Sequence, residues 1–129
     1  MATNGDLARL LLGAARDDEL MASSLLPVKG VTDAGIGLHA QQAVEKAIKA
    51  VLAVKETKFP FTHDLKRLRD FATGSGIELP PTLDGIEELT PFARDERYGS
   101  ETSLGLDREQ ALKWAAEAIA WARTVVEEP

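Results

Sequence analysis

Apolar residues recur at steps of three and four along almost the whole chain, and no stretch alternates long enough to make a strand. That spacing limits the fold more than any other feature, because helices and strands bury residues with different periods. It predicts an all-α protein: an up-and-down antiparallel helical bundle of four main helices plus one short helix, with short loops. The chain has 129 residues, 44% of them hydrophobic. That is the length of one domain, residues 1–129, with enough apolar side chains for one core.

In the first helix, Leu7, Leu10, Leu11, Ala14, Met21, Ala22 and Leu25 share the helical spacing. Asn4 or Asp6 is the expected cap, and the helix should end near Pro27. Asp33 opens a second helix that runs to about Lys55, with Ile36, Ala40, Ala43, Val44, Ala47, Ile48, Val51 and Leu52 inward. Gln41, Gln42, Glu45, Lys46 and Lys49 fall largely on its other side. Thr57 to Thr62 reads as a connector. A short third helix follows, with Thr62 and Asp64 as cap residues, Leu65, Leu68, Phe71 and Ala72 inward, and Gly74 to Gly76 as its stop. A short helix over Gly85 to Leu89 and a further helical piece from Thr90–Pro91 to Tyr98 are expected next. Asp107 caps the last helix, which runs to about Glu127.

The last helix is apolar over most of its girth. Leu112, Ala115, Ala116, Ile119, Ala122 and Val126 form one stripe, and Trp114, Ala118, Trp121 and Val125 a second. Gln110, Lys113, Glu117 and Thr124 form a narrow polar wedge. One stripe can face the bundle, while the second needs a neighbouring helix or a second subunit. Trp114, Ala118, Trp121 and Val125 are therefore the candidate interface of a homodimer, or of a heterodimer with a small partner.

The net charge is -6, which argues against a general duplex-DNA binder. The charge is uneven. Residues 45–69 carry Lys46, Lys49, Lys55, Lys58, Lys66, Arg67 and Arg69 against Glu45, Glu56 and Asp64, a local +4 inside an acidic chain. That run reads either as a solvated helix surface or as an anion site. The absence of cysteine excludes disulfides, thiolate metal sites and a cysteine nucleophile. His39 and His63 fall on different elements and lack Glu-x-x-His or His-x-x-x-His spacing, so no metal site is expected. No glycine cradle for phosphate is present, and no cofactor is expected. No apolar run reaches the roughly 20 residues that span a bilayer, and no basic start precedes an apolar block. A cytoplasmic protein with no membrane contact is the expectation.

The segment Ala40-Gln41-Gln42-Ala43-Val44-Glu45-Lys46-Ala47-Ile48-Lys49-Ala50-Val51-Leu52 resembles the second helix of the HEPN (higher eukaryotes and prokaryotes nucleotide-binding) domain family. Thr62-His63-Asp64-Leu65 resembles the start of that family's third helix. Ala93-Arg94-Asp95-Glu96-Arg97-Tyr98 is similar to its arginine–tyrosine segment, with an acidic pair added and glycine in place of the usual proline. The resemblance spans about Leu7 to Ala122. It implies a helical bundle that commonly dimerises and that acts in nucleotide binding or in RNA cleavage within conflict and toxin–antitoxin systems. Family members of this kind are often encoded beside a small nucleotidyltransferase, which is the partner the resemblance implies. The nuclease branch carries an arginine followed, after four to six residues, by a histidine. Positions 32–34 and 56–58, where that arginine would precede His39 or His63, hold none.

The expected function is thus a non-catalytic module that binds a nucleotide, a nucleotidyltransferase, or both. Arginine forks suit phosphate oxygens, and Arg94 and Arg97 lie three apart. Lys46 and Lys49 lie on one side of the second helix, His63 follows, and Tyr98 could stack on a base. Two alternatives remain: a homodimeric interaction protein without a nucleotide ligand, and a divergent ribonuclease using His63 with a remote arginine.

Overall fold

The computed structural model describes residues 3–93 and 105–127. Among them are four α-helices: α1 (Asn4–Leu25), α2 (Asp33–Val54), α3 (Leu65–Gly74) and α4 (Arg108–Glu127). Two 3₁₀ stretches, Pro81–Leu83 and Ile86–Ala93, lie between α3 and α4, and no described residue is in a strand. The all-α bundle is as the spacing predicts. The expected pieces from Gly85 and from Thr90 are one 3₁₀ helix as far as Ala93, which runs through Pro91.

Helix starts follow from side chains that satisfy the otherwise unpaired amides. Thr3, rather than Asn4 or Asp6, caps α1. Its hydroxyl accepts from the Asp6 amide at 3.0 Å, and its own amide donates to the Asp6 carboxylate at 2.9 Å. The Thr3 amide, with Arg9 beside it, holds the Asp6 carboxyl below the usual aspartate value. Thr32 caps α2. Asp64 caps α3 by accepting from the Lys66 and Arg67 amides, while Thr62 stands two residues outside and accepts from the Asp64 amide. Asp107 caps α4.

α2 is the centre of the bundle and packs on α1, α3, α4 and the Ile86–Ala93 helix. Every core position expected on it is buried. Gly37 lets it meet the Ile86–Ala93 helix closely, since an added Cβ would lie 2.5 Å from Phe92 Cδ1. At the start of α4, Arg108 donates to Asp33 at 2.6 Å and to the Val31 carbonyl at 2.9 Å. That tie brings the start of α4 to the start of α2, as an up-and-down order requires of the second and fourth helices.

Two helices are turned differently from the expectation. α1 buries Ala8, Leu12, Ala15, Asp18 and Ala22, while Leu7, Leu10 and Met21 are exposed. α1 packs along α2, and the side of α1 that enters the core carries Ala8, Ala15 and Ala22 with Leu12 as its one large apolar residue. α4 buries the seam between its two stripes: Ala111, Trp114, Ala115, Ala118, Ile119, Ala122 and Val126. Ala116 is exposed and Leu112 half-buried. Two of the four candidate interface residues are thereby corrected. Trp114 and Ala118 lie in the chain's own core, and Trp121 and Val125 lie half-buried against it. The missing side chain at Gly85, where φ is +93°, leaves room for the Trp114 indole, whose Cζ2 would be 3.0 Å from a Cβ there.

Candidate functional site

The polar side of α2 faces protein rather than water. Gln41 is fully buried and Glu45 is 3% exposed. Gln41, Glu45 and Lys49 are spaced four apart, so they form one row along the helix. Lys49 Nζ donates to Glu45 Oε2 at 2.8 Å, and Gln41 Nε2 donates to Glu45 Oε1 at 2.9 Å. Across the row runs the connector from α2 to α3. His63 Nδ1 lies 2.9 Å from Glu45 Oε1, and Gln41 Nε2 also donates to the His63 carbonyl at 2.9 Å. Lys49 Nζ stands 5.6 Å from the centre of the Phe59 ring, a cation–π contact to the same connector.

This arrangement fixes His63 at both its ring and its backbone. The carboxylate accepts, so Nδ1 carries the proton and Nε2 is the nitrogen left for a ligand. The His63 side chain is 58% exposed, whereas Glu45, which orients it, is 4% exposed at its side chain. Nε2 accepts from a hydroxyl when the ring is neutral and donates to an anion when it is charged. No buried side-chain polar atom lacks a partner among the described residues. The network is complete, as buried polar networks must be to be tolerated.

A second buried carboxylate joins α1 to α2. Asp18 accepts from Lys46 Nζ at 2.6 Å and lies 3.0 Å from His39 Nδ1. Lys46 and Lys49 are therefore each committed to a separate carboxylate, and they do not form the shared cationic pair that their spacing suggested. Arg69 is bound to Glu87 at 2.8 Å and to the Leu83 carbonyl at 2.7 Å, which ties α3 to the 3₁₀ region. Lys66 pairs with Asp70, which raises its pKa above the usual lysine value. Of the basic run, Lys55, Lys58 and Arg67 form no ion pair with a described residue.

Arg94, Arg97 and Tyr98 lie outside the described residues. A cleft of about 180 Å³ lies between the Ile86–Ala93 helix and the start of α4, lined in part by Glu88, Phe92, Asp107 and Trp114. Its described charges are two carboxylates, which suits a phosphate poorly. A more open groove of about 430 Å³ runs from Asn4 and Leu7 to Lys58 and Phe59. No helix among the described residues is long and apolar enough to cross a membrane.

The model of the HEPN domain matches residues 8–128, nearly the whole chain. The chain belongs to the HEPN domain family. No curated protein and no solved structure matches it. In this HEPN domain two of the three segments that carry the resemblance meet in space. The α2 motif supplies Gln41, Glu45 and Lys49. Within Thr-His-Asp-Leu, each residue has one task. Thr62 fixes the Asp64 amide, His63 binds Glu45, Asp64 caps α3, and Leu65 enters the core with its amide on Thr90 at 3.1 Å. Sequence reading placed His63 in the site but missed Gln41 and Glu45, which it assigned to the helix surface. The available signal was their four-residue spacing in an otherwise apolar helix.

Proposed function

We propose that this HEPN domain is a non-catalytic binding module for a phosphate-bearing nucleotide, and that the ligand contacts the corner where α2 leads into α3. The observation that carries the reading is His63: an exposed residue held at its ring by buried Glu45 and at its carbonyl by buried Gln41. A residue that served only the core would have no need of an exposed ring nitrogen. Lys58 and Arg67, on the same corner of the chain, supply positive charge not already spent on a described carboxylate. The absent arginine–histidine spacing supports a role without RNA cleavage. Arg94, Arg97 and Tyr98 belong to this proposal on sequence grounds alone. A chain without cysteine needs no oxidising compartment, and the cytoplasm is its proposed setting.

Thermal-shift measurements with ATP, GTP and their monophosphates test the reading. A ligand at about a hundredfold its Kd adds about 2.7 kcal/mol, which raises Tm by several degrees for a domain of this size. His63→Asn should remove most of that rise, as should the Arg94→Ala/Arg97→Ala pair. No shift with any nucleotide would sink the proposal.

A second reading is favoured by α1. Leu7, Leu10 and Met21 form an exposed apolar stripe along it. A homodimer, or a complex with a small nucleotidyltransferase of the toxin–antitoxin type, would cover that stripe rather than the second stripe of α4.

A further inference from the structure

Phe61 is 100% exposed, the only large hydrophobic among the described residues with no cover at all. A lone exposed apolar residue carries no message by itself. Three features of its surroundings change that. First, its connector is not loose: two residues on, His63 is held through its ring by Glu45 and through its carbonyl by Gln41, and Thr62 accepts from the Asp64 amide. Second, the neighbouring Phe59 has what Phe61 lacks, a half-buried place against the core and Lys49 over its ring. The connector therefore sends one phenylalanine inward and the next fully out. Third, the nearby cations Lys58, Lys66 and Arg67 are all exposed, and two of them have no described ion-pair partner.

We infer that Phe61 is a stacking platform for the base of the bound nucleotide, with His63 and the adjacent cations on its sugar and phosphate. This rests on the nucleotide reading above and assigns within it the residue that recognises the base. The chemistry requires this division. A flat π face attracts any nucleobase by stacking, whereas phosphate needs charge and directed donors. A peptide partner would gain from a wide apolar surface around Phe61; Phe59 is turned to the core, and the exposed side chains near Phe61 in sequence include His63, Lys58, Lys66 and Arg67. Stacking is tolerant of base identity because every base has a π face, so the site should accept all four bases with a modest preference.

The test compares ligands with and without a base. Calorimetry would measure the 5′-monophosphates of adenosine, guanosine, cytidine and uridine, and ribose 5-phosphate, against the wild-type chain, Phe61→Ala and His63→Asn. Stacking on one aromatic ring makes a monophosphate bind about 5- to 150-fold more tightly than ribose 5-phosphate. Phe61→Ala should bring that ratio close to one and leave ribose 5-phosphate unchanged. His63→Asn should weaken both ligands together. Phe61 touches no core residue, so its variant should unfold at the wild-type temperature. As a second readout, Phe61→Trp should show indole emission quenched by a monophosphate but not by ribose 5-phosphate. If Phe61→Ala keeps the ratio while His63→Asn weakens binding, the stacking assignment is wrong and the nucleotide reading survives. If no monophosphate binds any of the proteins, both are wrong.

Discussion

Glu56 sits at φ +58°, a left-handed conformation that costs an L side chain about 1 kcal/mol. It does so to end α2. Its amide donates to the Ala53 carbonyl at 3.0 Å and the Thr57 amide to the Leu52 carbonyl at 2.9 Å, the paired bonds of a Schellman motif. α3 ends in the same way, but with Gly76 at the left-handed position, where φ is +83°. Glu56→Gly should therefore stabilise the chain by about 0.5–1 kcal/mol, part of the gain being lost to greater freedom in the unfolded chain. Differential scanning calorimetry should show Tm higher by about 2–5 °C. Glu45 is the opposite case. Glu45→Ala would leave Lys49, 12% exposed at its side chain, without its counter-ion, and would leave Gln41 with one acceptor fewer. Breaking one side of a buried pair costs about 3 kcal/mol, and urea unfolding should show that loss with m unchanged.

At the scale of elements, close approach decides which face of a helix is buried. Gly37 and Gly13 make the point testable. Glycine to alanine within a helix normally gains about 1 kcal/mol. At Gly13 nothing lies within 4 Å of an added Cβ, so Gly13→Ala should be stabilising. At Gly37 the Cβ would meet the Phe92 ring at 2.5 Å, and Phe92 is itself buried. Overpacking costs about 1–3 kcal/mol and outweighs the propensity gain. Gly37→Ala should lower stability, so the two substitutions should move Tm in opposite directions. The same rule explains α1. Its larger apolar residues have the right period, but Ala8, Ala15 and Ala22 fit the alanine-rich side of α2, and Asp18 brings its carboxylate to Lys46 and His39. Period is legible in a sequence. The choice between two stripes of equal period depends on the partner helix.

For the molecule as a whole, α4 turns into the core a tryptophan that its second stripe offered to a partner, and α1 leaves large apolar residues exposed. Trp114 fills the space over Gly85 and is core. Trp114→Ala should cost about 3–5 kcal/mol, and the loss should be the same at every protein concentration. Leu10, 71% exposed, should behave otherwise. Leu10→Asp should leave monomer stability within about 0.5 kcal/mol. If the chain self-associates through α1, the same variant should remove the concentration dependence of Tm and lower the mass seen by light scattering.

By itself, the sequence determined the helical class, the span of α2 to within a residue, the Asp107 cap and the α2 core positions, because period and capping chemistry are local. It also carried the segments that resemble the family, and it brought His63 forward as a candidate. Only the tertiary structure decided that Gln41 and Glu45 are buried. A polar row on one helix looks the same in sequence whether water or a connector lies over it. The meeting of Glu45 with His63 spans 18 residues and depends on how the connector folds back over α2. The exposure of Phe61 beside the covered Phe59 has the same origin. Both are phenylalanines flanking one proline, and only packing distinguishes the ring against the core from the ring in solvent.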